Sequence, residues 1–269
     1  MKDIKIYEKV PPIRNNFQVK FHYYEGHGWL SAHWHEHIEF LYFESGECEC
    51  FCDGKKSHIK AGDMLVVNST EVHTFYAKAS VSYCCIITYP SFFSDIDFSD
   101  ILIKNYIPND PLVKECIMGI KDNFDSNSAG SDMLVKSYNY RLFAHLIKNY
   151  RDNPATAKNS VKSEKLKNLD KVISYIETHY NEKISTLDLA KMCYLSEGYF
   201  CRFFKKITGR TAADYIAEFR VEKASIMLKN TDSSISEIAS RTGFDDANYF
   251  TRVFKKVKGM TPSEYRKGM

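Results

Sequence analysis

The feature that most constrains the fold of this 269-residue chain is an internal repeat near its C-terminus. When the segment 199–215 is shifted by 50 positions, 9 of its 17 residues are identical to those of 249–265. Further upstream, 188–190 matches 237–239 at a shift of 49, so the two copies differ in length by one residue. A repeat of this period predicts two similar structural units in one domain.

Each copy has the sequence pattern of a helix-turn-helix. In the first copy, a short helix over 187–193 is followed by a tight turn at 194–195, the capping residue Ser196 and a longer helix over 197–208. In the second copy, the same elements fall at 235–242, 243–244, Asp245 and 246–258. Serine and aspartate favour helix starts because their side-chain oxygens accept hydrogen bonds from free backbone N–H groups. In a helix-turn-helix, the second helix can enter the major groove of DNA with its first residues against base edges.

The distribution of charge favours DNA as the partner of this domain. The whole chain has a formal net charge of only +3, yet residues 166–269 carry 18 Lys and Arg against 13 Asp and Glu. In each longer helix, basic residues fall opposite an apolar face, at Arg202, Lys205, Arg252 and Lys255. A solvated cationic face would explain one such helix, but its repetition in two helix-turn-helix units indicates DNA binding.

The C-terminal domain resembles the DNA-binding domain of the AraC family of bacterial transcription regulators. The resemblance is carried by the segments 195–205, 219–224, 238–256 and 259–266. It implies that one connecting helix holds both units, so that the two recognition helices face one side of the duplex about one turn apart. By this resemblance we expect a homodimeric regulator that binds double-stranded promoter DNA, works with RNA polymerase and activates transcription.

The resemblance places the DNA-contacting residues on the first turns of the two recognition helices. They are Glu197, Gly198, Tyr199, Cys201, Arg202 and Lys205 in the first helix, and Asp246, Ala247, Asn248, Thr251, Arg252 and Lys255 in the second. We expect Arg202, Asn248 and Arg252 to contribute most to base reading, because arginine pairs with guanine and asparagine with adenine. Tyr199 and Phe250 also fit the apolar core, and that is where we expect them.

The N-terminal part of the chain has the composition of short antiparallel strands. The segments 33–43 and 59–67 are rich in aromatic or β-branched residues, and turn signals separate them. The pair Asp53-Gly54 lies between two such runs and predicts a tight hairpin whose turn needs positive φ angles. Several short strands at this spacing indicate a small barrel or sandwich.

One of these segments concentrates residues that bind metals. On a strand, the period of two places His33, His35, His37 and Glu39 on one face. Imidazole and carboxylate suit zinc, iron, nickel or manganese, and His73 can complete the set from a neighbouring strand. The alternative is a polar pocket that holds no metal.

The same segment resembles the first motif of the cupin family, with Gly46 as its closing glycine. The segment 62–73 resembles the second cupin motif, although Asn68, Thr70 and Ala77 depart from the usual proline, glycine and asparagine. The resemblance implies His33, His35, Glu39 and His73 as the metal ligands. The two departures at Asn68 and Thr70 put the turn of the second motif in question.

Helical periodicity begins after residue 111. Helices are predicted over 112–124 and 132–150, and the second has an apolar stripe, Leu134, Tyr138, Leu142 and Leu146, that fits either packing on the barrel or a dimer interface. The fold class is therefore α+β with two domains. They are a cupin-like antiparallel β-barrel with trailing helices over 1–155, a linker over 156–165, and an all-α domain with two helix-turn-helix units over 166–269.

Sensor domains of the AraC family often resemble cupins and bind a small molecule, with or without a metal. By this resemblance we expect a small-molecule effector, and within the family the expected class is a sugar. We expect no required cofactor. The expected ligand site comprises His33, His35, His37, Glu39, His73 and Tyr42. Cys48, Cys50 and Cys52 share a strand face and are expected to be buried thiols, with soft-metal binding or redox sensing as alternatives.

The main prediction is a cytoplasmic transcription regulator that is not an enzyme. The first residues lack the apolar core of a signal peptide, and no apolar run reaches the ~18 residues of a membrane span. One alternative is a metal-dependent cupin enzyme that uses His33, His35, Glu39 and His73. A second is a regulator that senses a metal or the oxidation of its thiols.

Overall fold

A computed structural model describes residues 18–93, 101–126, 128–152 and 159–267 of the chain. The described residues divide into two compact units, with the boundary between residues 159 and 160. The N-terminal unit is built on β-strands followed by helices, and the C-terminal unit is helical. Of the predicted linker over 156–165, residues 156–158 lie outside the described residues.

The N-terminal unit is organised around one long bent strand, β6. The strands are β1 (Val19–His33), β2 (Ile38–Ser45), β3 (Glu47–Cys52), β4 (Lys55–Lys60), β5 (Met64–Val67), β6 (His73–Thr88), β7 (Leu102–Ile103), β8 (Tyr106–Ile107) and β9 (Arg151–Asp152). The main sheet has the order β4-β3-β6-β2-β5-β8, and β1 also pairs with β6. Strands β7 and β9 form a small separate ladder, and all pairings are antiparallel.

The main sheet curls so that its two faces enclose different cores. Side chains of one face, the inner face, pack against one another, among them Leu41, Phe43 and Phe75. The opposite face, the helix face, includes Phe40 and Ile86 and packs against the helices that follow. Inner-face residues of β2 to β6 meet without a further layer, so the sheet forms a small barrel, as predicted.

Two helices, α1 (Pro111–Phe124) and α2 (Ala129–Asn149), cover the helix face. Helix α2 begins three residues before its predicted start because the Ser128 side chain accepts a hydrogen bond from the Ser131 N–H. The apolar stripe of α2 is divided. Leu142 and Leu146 are fully buried against the sheet and α1, whereas Leu134 is 46% exposed.

Turn chemistry decides where the strands end. The predicted hairpin is confirmed, with φ angles of 46° at Asp53 and 78° at Gly54. The predicted strand over 59–67 is two strands, β4 and β5, because Gly62 turns the chain with a φ of 92°. The predicted strand over 33–43 is wrong at 34–37, where the chain leaves β1 and enters β2.

Seven helices follow in the described C-terminal residues. They are α3 (Asn159–His179), α4 (Thr186–Met192), α5 (Glu197–Thr208), α6 (Ala212–Asn230), α7 (Ile235–Arg241), α8 (Ala247–Lys258) and α9 (Pro262–Lys267). Helix α3 begins inside the predicted linker, since a polar segment without Gly or Pro can still propagate a helix from an adjoining amphipathic one. Helices α4 and α5 form the first helix-turn-helix and α7 and α8 the second.

The connecting helix α6 holds the two units together. It contacts α5 in the first unit and α7, α8 and α9 in the second. The core of the second helix-turn-helix contains Val221 and Leu228 of α6 with Phe250 and Phe254 of α8. An ion pair between the buried Lys258 Nζ and the half-buried Glu222 Oε1, 2.5 Å apart, fixes the end of α8 to α6.

The caps of the recognition helices differ from the prediction. Ser196 occupies the cap position of α5, but its side chain makes no capping hydrogen bond. The cap of α8 is Asp246, whose side chain accepts from the Tyr249 N–H, and not Asp245. Both residues suit a cap, and only the geometry of the preceding turn, one residue longer than in the first copy, distinguishes them.

Candidate functional site

The recognition helices α5 and α8 each bury one face and expose the other. Phe200 and Phe204 of α5 are fully buried, as are the equivalent Phe250 and Phe254 of α8. On the opposite faces, Glu197, Gly198, Tyr199, Cys201, Arg202, Lys205, Asp246, Asn248, Arg252 and Lys255 are exposed, while Ala247 and Thr251 are half-buried. The expectation that Tyr199 lies in the core is wrong, since it is 43% exposed; Phe250 does lie there.

Three of the predicted DNA-contacting side chains already have structural partners. The Glu197 carboxylate accepts a hydrogen bond from Thr186 Oγ1 at 2.5 Å. Asp246 caps α8, and Thr251 Oγ1 donates to the Ala247 carbonyl within the same helix. These bonds hold the starts of α5 and α8 in place.

Sequence reasoning missed the support of Arg252 by Tyr249. The Arg252 guanidinium lies 5.8 Å from the centre of the Tyr249 ring, and Tyr249 is 48% exposed. An arginine on an aromatic face is restricted in its rotamers and remains available to a base or phosphate. The spacing of three residues between the two is visible in the sequence and could have indicated this pair.

The four predicted metal ligands of the barrel meet on its inner side. His33, His35, Glu39 and His73 each offer one ligand atom, and these atoms lie within 4.8 Å of one another. His33 ends β1 and pairs with His73 at the start of β6, His35 lies in the connection, and Glu39 lies on β2. The strand alternation on which the prediction rested is absent at 34–37, and the connecting loop brings His35 to the cluster instead.

Backbone carbonyls orient the three imidazoles. The Nδ1 atoms of His33, His35 and His73 lie 2.9, 3.1 and 3.3 Å from the carbonyl oxygens of Ser31, His37 and Glu71. A carbonyl only accepts, so Nδ1 carries a proton in each ring, and Nε2 is the nitrogen that faces the cluster.

The carboxylate of Glu39 lies beside the Nε2 atoms of His35 and His73. Its Oε2 is 3.3 Å from His35 Nε2 and 3.2 Å from His73 Nε2, and its Oε1 accepts from the Cys85 thiol at 3.0 Å. Burial opposes ionisation of Glu39, but the contacts with His35 and His73 outweigh it and hold the pKa of Glu39 well below its usual range. Burial lowers the pKa of His33 well below its ordinary value, and the neighbouring His73 adds to this effect.

This donor set fits a divalent metal ion. Imidazole nitrogens without a proton and an ionised carboxylate are all electron-pair donors, so either a proton or a cation must lie between them. His73 Nε2 and Glu39 Oε2 are buried and 3.2 Å apart, a separation that suits a shared proton or a shared cation. A metal bound at about 2.1 Å needs ligand atoms roughly 3–4 Å apart, close to the spread found here.

The second cupin-like motif forms its turn despite its departures. Thr70 adopts a φ of 64°, where glycine is usual, and its N–H donates to the His35 carbonyl at 2.8 Å. The Asn68 side chain bonds both the N–H and the carbonyl of Ile103. The buried Glu71 carboxylate accepts from Asn68 and Asn105. This turn therefore holds His35 and His73 in place.

Two of the predicted ligand-binding residues lie outside the cluster. Tyr42 points to the helix face and packs with the core around α1 and α2, because residues 39 and 42 of one strand face opposite sides. The structure therefore contradicts its placement in the ligand site. His37 lies beside the cluster, and its ring stacks on His35 with 3.5 Å between centres. Burial, reinforced by His35, lowers the pKa of His37 to about 3.

Cys48, Cys50 and Cys52 share the inner face of β3, as predicted, and all three are buried. The Sγ atoms of Cys48 and Cys50 are 3.4 Å apart. Burial raises the pKa of Cys52, and the bond to Cys48 together with burial raises that of Cys50. The thiols of Cys50 and Cys52 therefore stay protonated, and all three side chains pack among apolar groups.

Among the described helices, none combines the length and apolar character that crossing a bilayer requires. Residues 17–143 match the family described as the AraC-like ligand binding domain, and residues 189–268 match the family described as the helix-turn-helix domain. A sensor barrel and a doubled helix-turn-helix in one chain define a DNA-binding transcription regulator with a ligand-binding domain. The chain belongs to the AraC family of transcription regulators.

Curated relatives are regulators of the same kind. The helix-turn-helix-type transcriptional regulator YdeC of Bacillus subtilis (strain 168) is 23% identical and spans 81% of this chain and 79% of its own. The lactose operon transcription activator of Staphylococcus xylosus is 25% identical over 79% of this chain and 77% of its own. The solved structure of fatty-acid-bound ToxT from Vibrio cholerae strain SCE256 aligns with 94% of this chain and 96% of its own, with 16% identity and a TM-score of 0.46.

Proposed function

We propose that this protein activates transcription by placing both recognition helices in adjacent major grooves of a promoter when its barrel binds a small molecule. The observation that carries this proposal is the equivalence of α5 and α8, which expose arginine and lysine at matching positions. Both helices contact the connecting helix α6. We further propose that it acts in the cytoplasm as a homodimer and contacts RNA polymerase. The exposed Leu134 and Met133 of α2 suit a subunit interface.

Base reading is assigned to Arg202, Asn248 and Arg252, with Lys205 and Lys255 on phosphates. All five side chains are exposed. Arginine donates two hydrogen bonds to guanine, and asparagine pairs with adenine through its amide. Lysine contributes charge without sequence preference. The remaining predicted contacts, at Glu197, Gly198, Tyr199, Cys201, Asp246, Ala247 and Thr251, would fix the position of each helix in its groove.

Arg202→Ala and Arg252→Ala test this assignment. Each substitution should weaken binding to the selected operator by about 1–3 kcal/mol and relax the preference for guanine at one position. Lys60→Ala, at an exposed position of the barrel, removes the same charge and should leave operator affinity unchanged. Equal operator affinity in both arginine variants and the wild type would contradict the assignment.

A second proposal concerns the barrel: His33, His35, His73 and Glu39 hold a divalent ion. Four ligand atoms within 4.8 Å of one another, with the Nδ1 atoms of all three histidines bonded to carbonyls, support it. A bound ion would act as a Lewis acid toward an oxygen of the effector. His33, His35 and His73 would be held in orientation by their carbonyl partners, and Cys85 would steady the carboxylate.

We infer that the barrel senses a ligand and is not catalytic, since the curated relatives that span most of this chain are transcriptional regulators. The name of the Staphylococcus xylosus relative, a lactose operon activator, supports a carbohydrate-derived effector for this chain. A metal-dependent turnover of a small molecule by the purified protein would favour the enzyme alternative instead.

A further inference from the structure

Arg220 lies near the middle of the connecting helix α6 and joins it to the segment that leads into the first helix-turn-helix. Its Nε donates to the Tyr180 carbonyl at 2.6 Å, and its Nη2 donates to the Glu182 carbonyl at 2.7 Å. Both carbonyls lie between the end of α3 and the start of α4. Because the guanidinium is planar and donates in a fixed fork, the two bonds set the orientation of this segment as well as its distance from α6.

The face of the same guanidinium packs against the second helix-turn-helix. Its central carbon is 5.7 Å from the centre of the Phe244 ring, which lies in the turn between α7 and α8. Phe244 is only 4% exposed and belongs to the core of the second unit. The neighbouring Gly243 leaves room for the guanidinium, since a Cβ atom there would lie 2.9 Å from it. One side chain of α6 thus contacts the turn of the second unit and the segment that enters the first.

From Phe244 the contacts continue to the surface assigned to base reading. The Phe244 ring centre lies 6.0 Å from that of Tyr249 and 5.1 Å from that of Phe250, both in α8. Tyr249 in turn lies under the guanidinium of Arg252. A shift of Phe244 would therefore be passed on to the start of α8, because closely packed side chains have little room to absorb it.

The spacing of two DNA boxes depends on how firmly the two recognition helices are held relative to each other. One extra base pair between two boxes moves the second box by roughly 3.4 Å and rotates it by roughly 35° about the axis of the duplex. A domain that cannot follow this movement keeps only one unit in its box, and the gain from binding with both units at once is lost. A loosely connected domain would instead accept several spacings.

We propose that Arg220 is a positioning residue that fixes the distance and angle between the two recognition helices, and with them the one spacing of DNA boxes that this protein accepts. This inference rests on the proposed binding of DNA by both helix-turn-helix units and adds a spacing requirement to it. Helix α6 also holds the second unit through apolar residues such as Val221 and Leu228, and such contacts are non-directional. The bonded edge and packed face of Arg220 supply the direction.

The test is a competition binding assay with the full-length protein and three versions of its selected operator. One version keeps the selected spacing between the boxes, and the other two have one base pair added or removed. We expect the wild type to bind the altered versions at least about tenfold more weakly, because only one unit then reaches its box. In Arg220→Lys, which keeps the charge but loses the fork, this ratio should fall below about threefold.

DNA fragments that contain a single box separate positioning from a general loss of structure. Arg220→Lys leaves every base-reading side chain in place, so its affinity for a single box should equal that of the wild type. Phe244→Leu, which stays apolar but removes the ring beneath the guanidinium, should also lower the spacing ratio. Lys229→Met is the matched control, because the Lys229 ammonium of α6 lies 5.7 Å from the centre of the Tyr265 ring, a contact inside the second unit. This variant should keep the wild-type ratio.

The same assay shows which level of inference fails. A wild-type spacing ratio in Arg220→Lys, whether or not its overall affinity falls, overturns the role of Arg220, as does a wild type that binds all three versions equally. Sequence-specific binding would persist in both cases, so the proposed function would stand. Absence of sequence-specific binding by the wild type would instead remove the proposed function itself.

Discussion

Gly243→Ala should destabilise the second helix-turn-helix far more than the matched change in the first. Both turns need a residue in the left-handed region: Gly243 has a φ of 86°, and Tyr194, at the equivalent position, has a φ of 54°. The internal repeat therefore supplies its own control, because Tyr194→Ala changes a residue that already carries a Cβ atom and is 86% exposed.

The magnitude follows from what a methyl group at residue 243 would meet. Its Cβ would lie 2.8 Å from the Tyr180 carbonyl oxygen and 2.9 Å from the Arg220 guanidinium. Arg220 donates to the carbonyls of Tyr180 and Glu182 at 2.6 and 2.7 Å, and at least one of these bonds must lengthen. The left-handed backbone costs roughly 1–2 kcal/mol and a charged hydrogen bond roughly 1.5–3 kcal/mol. A total near 3 kcal/mol is expected.

Hydrogen exchange of the full-length protein, resolved by mass spectrometry, measures this difference. The amides of α7 and α8 should exchange about 100-fold faster in Gly243→Ala, as a loss near 3 kcal/mol in local stability allows. Tyr194→Ala should change the local stability of α4 and α5, inferred from their exchange rates, by less than about 1 kcal/mol. Tyr194→Gly should slow the exchange of these helices or leave it unchanged. Similar effects of the two alanine substitutions would instead mean that both turns tolerate a Cβ atom equally well.

Changes at Glu218, His73 and Tyr249 should each have a measurable effect. Burial raises the pKa of Glu218 to about 7 despite the nearby Arg210, so the folded state favours the neutral carboxyl group. The helical unit should therefore lose roughly 1–3 kcal/mol of stability as pH rises from about 4.5 to 7. Glu218→Gln should abolish this pH dependence of stability in thermal unfolding. His73→Ala should reduce bound zinc or iron, measured by elemental analysis, from about one ion per chain to near none, while His58→Ala at an exposed position should not. Tyr249→Ala should weaken operator binding several-fold by releasing Arg252, and Tyr249→Phe, which keeps the ring, should not.

The helical domain could be predicted in most respects because its sequence states the pattern twice. The repeat located both recognition helices to within a residue, and the phenylalanines at equal spacing located their buried faces. The cap of α8 could not be assigned, since Asp245 and Asp246 are chemically identical. The exposure of Tyr199 depends on the angle at which α5 packs, which a one-dimensional pattern leaves open.

The barrel cluster was predicted with its correct residues but for an incorrect reason. Alternation over 33–39 suggested one strand, whereas the chain breaks after His33 and returns at Ile38. Thr70 holds His35 by a backbone hydrogen bond, an interaction between segments that no local pattern encodes. Tyr42 was misplaced because its distance from the cluster depends on which face of β2 it occupies.

Both helix-turn-helix units of this protein should recognise specific promoter sequences. This is measured by selection of sheared genomic DNA of the source organism with the full-length protein at near-physiological salt, followed by sequencing. We predict enrichment of a few upstream regions that contain two conserved boxes about one helical turn apart, one lost in Arg202→Ala and the other in Arg252→Ala. Retention of DNA without sequence preference, in wild type and variants alike, would contradict the claim.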